Sequence, residues 1–210
     1  MLQDFFRRNK GMKNSKVRQL ALAGILGAVA FLLMMVKINI PFLSVFADLE
    51  AAALAEIIGG FILGPIGAIQ IILIKLLLKI AISGTSTMFV GELQNFLLSC
   101  AYVLPAVLYY RKHRTKKGAF VGLMIGTVVT IIVSILTNLY MIFPFYIKLY
   151  GLNWDAIIGM YAKANPFIHN IPTFIIFSVL PFNIVSKVTI SIITMVAYKK
   201  LSVPLKRFIQ

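Results

Sequence analysis

Apolar residues in this chain run in long, nearly unbroken stretches, unlike the single apolar stripe of a water-soluble helix. The stretches are roughly 20 residues long, enough to carry a helix across about 30 Å of hydrocarbon, and they recur over most of the 210 residues. The first predicted span covers 17–36, followed by a loop at 37–48 with Asn39, Pro41 and the apolar Phe42, Leu43 and Phe46. A short second span, 49–63, ends at Gly64-Pro65, a tight-turn pair because proline lacks an amide donor and glycine relaxes the dihedral limits. The third span covers 66–82, the polar loop 83–87 follows, and the fourth span covers 90–110. The fifth, 119–146, is longer than a bilayer requires and is therefore expected to tilt or protrude. Residues 151–172 form a polar interlude in which Trp154 and Tyr161 suit the headgroup level. There the helical spacing of Ile157, Ile158 and Tyr161 predicts a short interfacial helix. The sixth span covers 173–198. The predicted fold class is an all-α membrane protein, a bundle of about six transmembrane helices.

Composition supports this reading, with 60% hydrophobic and only 13% charged residues, too little polar surface for a soluble domain of this size. The net charge of +15 is clustered. Six basic residues, Arg7 to Arg18, precede the first apolar run at 20–36, five lie in 111–117, and Lys199, Lys200, Lys206 and Arg207 lie near the end. With six spans these clusters fall on one side, which the positive-inside rule makes cytoplasmic, termini included. The domains expected are a basic cytoplasmic N-terminus (1–16), a six-helix transmembrane binding domain (17–201) and a basic cytoplasmic tail (202–210). Lipid headgroups account for the basic clusters, so no nucleic-acid partner is expected. The run 20–36 exceeds a typical signal-peptide core, so cleavage after the loose site Val45-Phe46-Ala47 is not expected.

Motifs for catalysis or nucleotide binding are missing: no P-loop, no H-E-x-x-H, no G-x-S-x-G and no paired Cys/His spacing occur. His113 and His169 fall in loops on opposite sides, and Cys100 stands alone in an apolar stretch. An enzyme is not expected, since only a Ser–Lys couple is conceivable. The informative residues are polar ones inside or beside the spans, because intramembrane charge is costly and marks function by default. Counted from the Gly64-Pro65 turn at ~1.5 Å per residue, Glu56 lies about 13 Å deep and Lys75 about 16 Å, at matching depth on adjacent helices. They suit either a structural ion pair or a site. Lys79, nearer the outer end, is expected to snorkel. Glu92 and Asn95 share one face at the start of the fourth helix, where Glu92 also suits a first-turn acid. Asn138 lies in the fifth helix, and Asn183 and Lys187 in the sixth, four apart and on one face. These three offer donors and acceptors suited to a planar heterocycle with imide-like edges, or to bonding between helices. Phe46, Phe89, Phe143, Phe145 and Tyr146 are available to sandwich such a ring. On the first helix, Ala23/Gly27 and Gly24/Ala28 are overlapping small-xxx-small pairs that permit close helix approach, either within this protein or to a partner.

Taken in order, Gly64-Pro65 with Lys75, Val90-Gly91-Glu92 with Asn95-Phe96, Ser134-Ile135-Leu136 with Asn138 and Pro144, and Leu180-Pro181-Phe182-Asn183 form a pattern. In these residues the chain resembles the substrate-binding membrane subunits of energy-coupling-factor vitamin transporters, of the riboflavin type. The resemblance implies a high-affinity binder of riboflavin or a related flavin, held as substrate rather than cofactor, near the outer face of the cell membrane. It implies a site built from the first outer loop and the last three helices, with Asn138 and Asn183 on the isoalloxazine ring. It also implies docking through the first helix onto a transmembrane scaffold subunit driven by two ATPases. The candidate substrate residues are therefore Asn138, Asn183, Lys187, Glu92, Asn95, Lys75 and Phe46, and the candidate docking residues Ala23, Gly24, Gly27 and Ala28. One departure stands out: the family usually carries lysine three residues after the sixth-helix asparagine, where this chain has Ser186 and then Lys187. Another vitamin-specific subunit of the same class, or a self-sufficient ion-coupled carrier, are the alternatives.

Overall fold

The computed structural model describes residues 2–40, 42–43 and 49–209, the side chains of 2–15, 38, 49–50 and 199–209 excepted. Phe46 lies outside the described residues. Helix α1 (Leu2–Met35) leads to a two-residue antiparallel ladder, β1 (Lys37–Ile38) with β2 (Leu49–Glu50), which closes the base of the loop between them. Then come α2 (Ala52–Ser83), α3 (Val90–Lys112), α4 (Lys116–Thr137), a π-helical turn at Asn138–Ile142 and α5 (Phe143–Tyr150). The chain ends with α6 (Trp154–Ala164), α7 (Ile171–Phe174), a second π-helical turn at Ile175–Val179 and α8 (Leu180–Ile209).

Among the described residues, five helical stretches are long and apolar enough to cross a membrane, α2 among them at 32 residues. Yet α2 is not one rod. Glu56 and Lys75 would stand about 28 Å apart in a straight helix, whereas their side chains meet at 2.5 Å. The break is at Gly64, with φ 84° and ψ −174°, a conformation open essentially to glycine alone. Pro65 then starts the second limb. The chain therefore makes six traverses, two of them limbs of α2 folded back at the turn expected from Gly64-Pro65.

Close approach of backbones builds the bundle where glycine allows it. A Cβ on Gly126 would lie 2.3 Å from the carbonyl oxygen of Tyr102, and one on Gly122 2.7 Å from that of Ala106. The 122/126 stripe on α4 thus seats α3 directly, a packing mode suited to membranes, where van der Waals contact replaces the hydrophobic drive. Of the small residues on α1, Ala23 and Gly27 face inward. Ala23 is fully buried in a cluster with Ala30, Ala55 and Ile71, and a Cβ on Gly27 would meet Ile74 at 2.5 Å. Gly24 has nothing within 4 Å and Ala28 is exposed. Two of the four docking candidates are thus occupied by packing within this chain.

Helix α6 forms where the spacing of Ile157, Ile158 and Tyr161 places it, capped by Asn153, whose side chain accepts from the Ala156 amide at 2.7 Å. Its apolar face does not lie free at an interface. All three residues are buried against Phe143, Ile168 and Phe174, and Trp154 packs on Phe143 at 5.5 Å between ring centroids. Trp154 and Tyr161 thus serve the bundle end as a cover. At the opposite end, Tyr110 and Tyr198 hydroxyls meet at 3.1 Å, and Gln19, Gly64, Arg111 and Arg114 line one cavity. The start of the first span, the hairpin turn, the 111–117 loop and the end of the last span therefore share one end.

Candidate functional site

The end of the bundle away from the 111–117 loop is hollow. A cavity of about 270 Å³ is lined by residues of α1, both limbs of α2, α3 and α8, among them Lys75, Glu92, Asn95, Asn183, Ser186 and Lys187. A narrower cavity of about 100 Å³ adjoins it, sharing Gln94, Leu98, Tyr146, Phe182 and Asn183 and reaching Asn138. Every described substrate candidate from the sequence lines one or the other. The lining draws on more of the chain than the first loop and last three helices, because the limbs of α2 supply one wall.

Two prolines shape the narrow part. Each π-helical turn lies just before a proline, Pro144 after Asn138–Ile142 and Pro181 after Ile175–Val179. Proline gives no amide to the carbonyl four residues back and favours such a local widening of the helix. Phe177, four residues before Pro181, has its carbonyl satisfied from outside, by the Asn165 amide at 3.2 Å. The same Asn165 amide group also donates to the Phe42 carbonyl at 3.1 Å, and Ser178 donates to the Leu43 carbonyl. Phe42 and Leu43 of the first outer loop are thereby tied to the widened helix.

Ser134 organises the polar face. Its hydroxyl accepts from the Asn183 amide at 2.9 Å and from the Asn138 amide at 3.2 Å. Asn183 also donates to the Val179 carbonyl at 2.8 Å, and Asn138 to that of Ser134 at 2.8 Å. With the NH₂ groups committed in this amide orientation, the two carboxamide oxygens accept no bond among the described residues. The asparagines both tie helices together and present acceptors to the cavity. Phe143, Tyr146, Phe174 and Phe182 stand around them as apolar walls. Phe89 and Phe145 do not line either cavity.

Charges on the other wall are paired. Lys75, 1% exposed, meets Glu56, 0% exposed, and donates to Asn95 Oδ1 at 2.7 Å and Ser99 Oγ at 3.2 Å. Lys79 does not snorkel: it binds Glu92 and the Gly84 carbonyl. The other Glu92 oxygen accepts from Thr85 at 3.0 Å and Thr87 at 3.2 Å. Glu92 is thus held by its neighbours and does more than offset a helix end. Lys187 Nζ sits 5.2 Å from the centre of the Tyr102 ring, whose hydroxyl is 2.8 Å from Ser191 Oγ. Ser186 and Lys187 both reach the larger cavity. Among the described residues no group of His, Cys, Asp and Glu side chains is placed to hold a metal.

Several lining residues escape a reading of the chain alone: Gln94, Ser178, Tyr161, Phe174 and Phe182. Ser134 carried a signal, four residues before Asn138 and so on its face. Ser178 and Asn183, five apart, share a face only because the helix between them widens.

Comparison with known proteins bears on this geometry. A family profile described as the ECF transporter substrate-specific component matches residues 18–198. The riboflavin transporter RibU of Staphylococcus aureus is 30% identical over 201 residues, 96% of this chain and 98% of that protein. The riboflavin transporter FmnP of Bacillus subtilis is 29% identical over 188 residues, 89% of this chain and 93% of that one. A solved S component of a bacterial ECF transporter is similar with a TM-score of 0.68 and 29% identity, covering 91% of this chain and 99% of that chain. Matched over most of its length in both sequence and fold, the chain belongs to the substrate-specific components of ECF transporters, multi-pass proteins of the bacterial cell membrane and not enzymes.

Proposed function

We propose that this chain captures riboflavin from outside the cell, in the cavity between its two π-helical turns, for import by an ATP-driven module. The observation that carries the reading is the pair of carboxamide oxygens on Asn138 and Asn183, held by one serine within aromatic walls. Acceptors at fixed spacing beside a narrow apolar slot suit a flat ring with an imide N–H on its edge. The larger, polar chamber with Glu92, Asn95, Lys75 and Lys187 suits a hydroxylated side chain. Two relatives spanning nearly the whole chain are riboflavin transporters by name, which favours a flavin over other vitamins. The positive-inside rule puts the 111–117 end in the cytoplasm and the cavity at the outer face. Lacking a P-loop, the chain would depend for energy on a membrane scaffold with two ATPases. The outward strip of α1, Gly24 and Ala28, is the proposed docking surface.

The purified protein should carry a flavin absorption spectrum and quench riboflavin fluorescence on titration. A colourless preparation that leaves riboflavin fluorescence unchanged would remove flavin from the reading. In the same assay Asn183→Leu, which withdraws an acceptor and leaves a buried ring edge unpaired, should cost about 1–3 kcal/mol, or roughly tenfold or more in affinity. Unaltered affinity in both Asn183→Leu and Asn138→Leu would take the two asparagines out of the site. For the shifted lysine, Lys187→Met should weaken binding while Ser186→Ala has little effect. The reverse result would mean that Ser186 stands in the substrate position.

A further inference from the structure

A third cavity, of about 220 Å³, opens at the other end of the bundle, remote from the two above. Gln19 of α1, Leu63 and Gly64 of the α2 turn, Tyr110 and Arg111 of α3, and Arg114 just beyond it line this space. The turn sets the place of Arg111. Gly64 has no side chain, and a Cβ there would lie 3.0 Å from the Arg111 Nη1, so the guanidinium rests on the bare backbone.

Neither guanidinium group forms a hydrogen bond or ion pair among the described residues. Of the six acidic residues in the chain, Glu56 and Glu92 are paired elsewhere, and Asp4 alone belongs to a segment predicted at this end. Two arginines facing one cavity with no carboxylate among its described lining residues call for an anion from outside, and the planar fork of arginine favours phosphate oxygens. The surroundings name its source. Leu20, next to Gln19, is 58% exposed, and Ile66, two residues after Gly64, is 73% exposed. Apolar surface thus continues along the bundle from the polar cavity, as needed for a molecule with a phosphate head and hydrocarbon tails. A free phosphate would engage none of that surface.

We infer that this cavity binds the phosphate headgroup of an anionic phospholipid of the inner leaflet, through Arg111 and Arg114. Basic pockets between helices on the cytoplasmic side are suited to such headgroups. A bound lipid there bridges α1, the α2 turn and α3, the elements whose ends meet at this face. The inference is independent of what the outer cavity carries.

The test uses the full chain in mild detergent, stripped of lipid and examined by native mass spectrometry. Phosphatidylglycerol and phosphatidylcholine with identical acyl chains are the probes, with inorganic phosphate as competitor. Phosphatidylglycerol should be retained roughly tenfold over phosphatidylcholine, as expected for two basic contacts at a headgroup. The paired change Arg111→Gln with Arg114→Gln should abolish that preference. The pair Lys116→Gln with Lys117→Gln removes equal charge from the same loop, outside the cavity, and should preserve it. Should the arginine double variant fail to remain monodisperse, Arg114→Gln alone, at an exposed position, should still lower the preference several-fold. Equal retention of the two lipids, equal loss in both double variants, or displacement of lipid by millimolar phosphate overturns the proposal. So does retention that depends on a co-purified partner protein instead of on lipid.

Discussion

Replacing Glu56 by leucine should cost about 3–5 kcal/mol of stability, because it leaves the ammonium of Lys75 buried without its counter-charge. Both residues are essentially inaccessible, at 0% and 1%, so the ammonium is not fully hydrated in place of the lost carboxylate. Asn95 and Ser99 still accept from Lys75, but neutral acceptors do not cancel a charge. Lys75→Met alone should be damaging for the mirror reason, and more so because Glu56 Oε2 already lacks a hydrogen-bond partner among the described residues. The double variant, Glu56→Leu with Lys75→Met, should recover most of the loss, since an apolar pair of similar volume needs no desolvation. Thermal unfolding in detergent measures all three. A single variant as stable as the parent, or a double variant worse than either single, would show that the pair does not work this way. The double variant should nonetheless bind flavin less tightly, because Lys75 also holds Asn95 beside the cavity. Stability and binding are thereby separable in one series.

Import should stop, with ligand binding intact, when Gly24→Leu and Ala28→Trp are introduced together. These positions lie on the outward strip of α1, Gly24 with open space around it and Ala28 exposed. Bulk there leaves this chain's own packing alone and separates it from any helix that docks on the strip. Uptake of flavin by cells that depend on this protein should fall to background, and co-purification of the energy-coupling subunits should be lost. Fluorescence titration of the purified variant should match the parent. Gly27→Leu is the contrasting change, because its side chain must pass through Ile74, 2.5 Å from the Cβ position. It should lower the unfolding temperature, whereas the outward pair should not. Normal uptake by the outward pair would end the docking role of this strip. Uptake by the chain alone in liposomes under an ion gradient, without ATP, would end the dependence on partners.

Much of this protein was legible in its sequence because a bilayer leaves few options. Backbone polar groups without water must bond within a helix, so apolar runs of bilayer length could only be membrane helices. The Gly64-Pro65 pair read as a turn from its own chemistry, and the matching depth of Glu56 and Lys75 followed from counting away from it. Asn138, Asn183 and Lys187 stood out for a related reason, since polar groups in hydrocarbon are costly and call for a purpose. Helical period also placed α6 correctly through Ile157, Ile158 and Tyr161. It could not say what their apolar face meets. That face covers Phe143 and Phe174, and only the packed bundle shows it.

The remaining decisions were tertiary. Small residues four apart mark a strip for close approach but not the partner that uses it. The 122/126 glycines of α4 and Ala23/Gly27 of α1 turned out to face helices of this chain, and Gly24/Ala28 to face away. Lys79 looked free to snorkel until the loop at 83–89 brought Glu92 to it. Ser134 became central only through its distance to Asn183, 49 residues away in sequence, and Ser178 entered the site because a widened turn before Pro181 shifted the helical register. In each case local period determines which residues share a face, whereas what that face meets depends on contacts between segments far apart in the chain, and no local pattern encodes those.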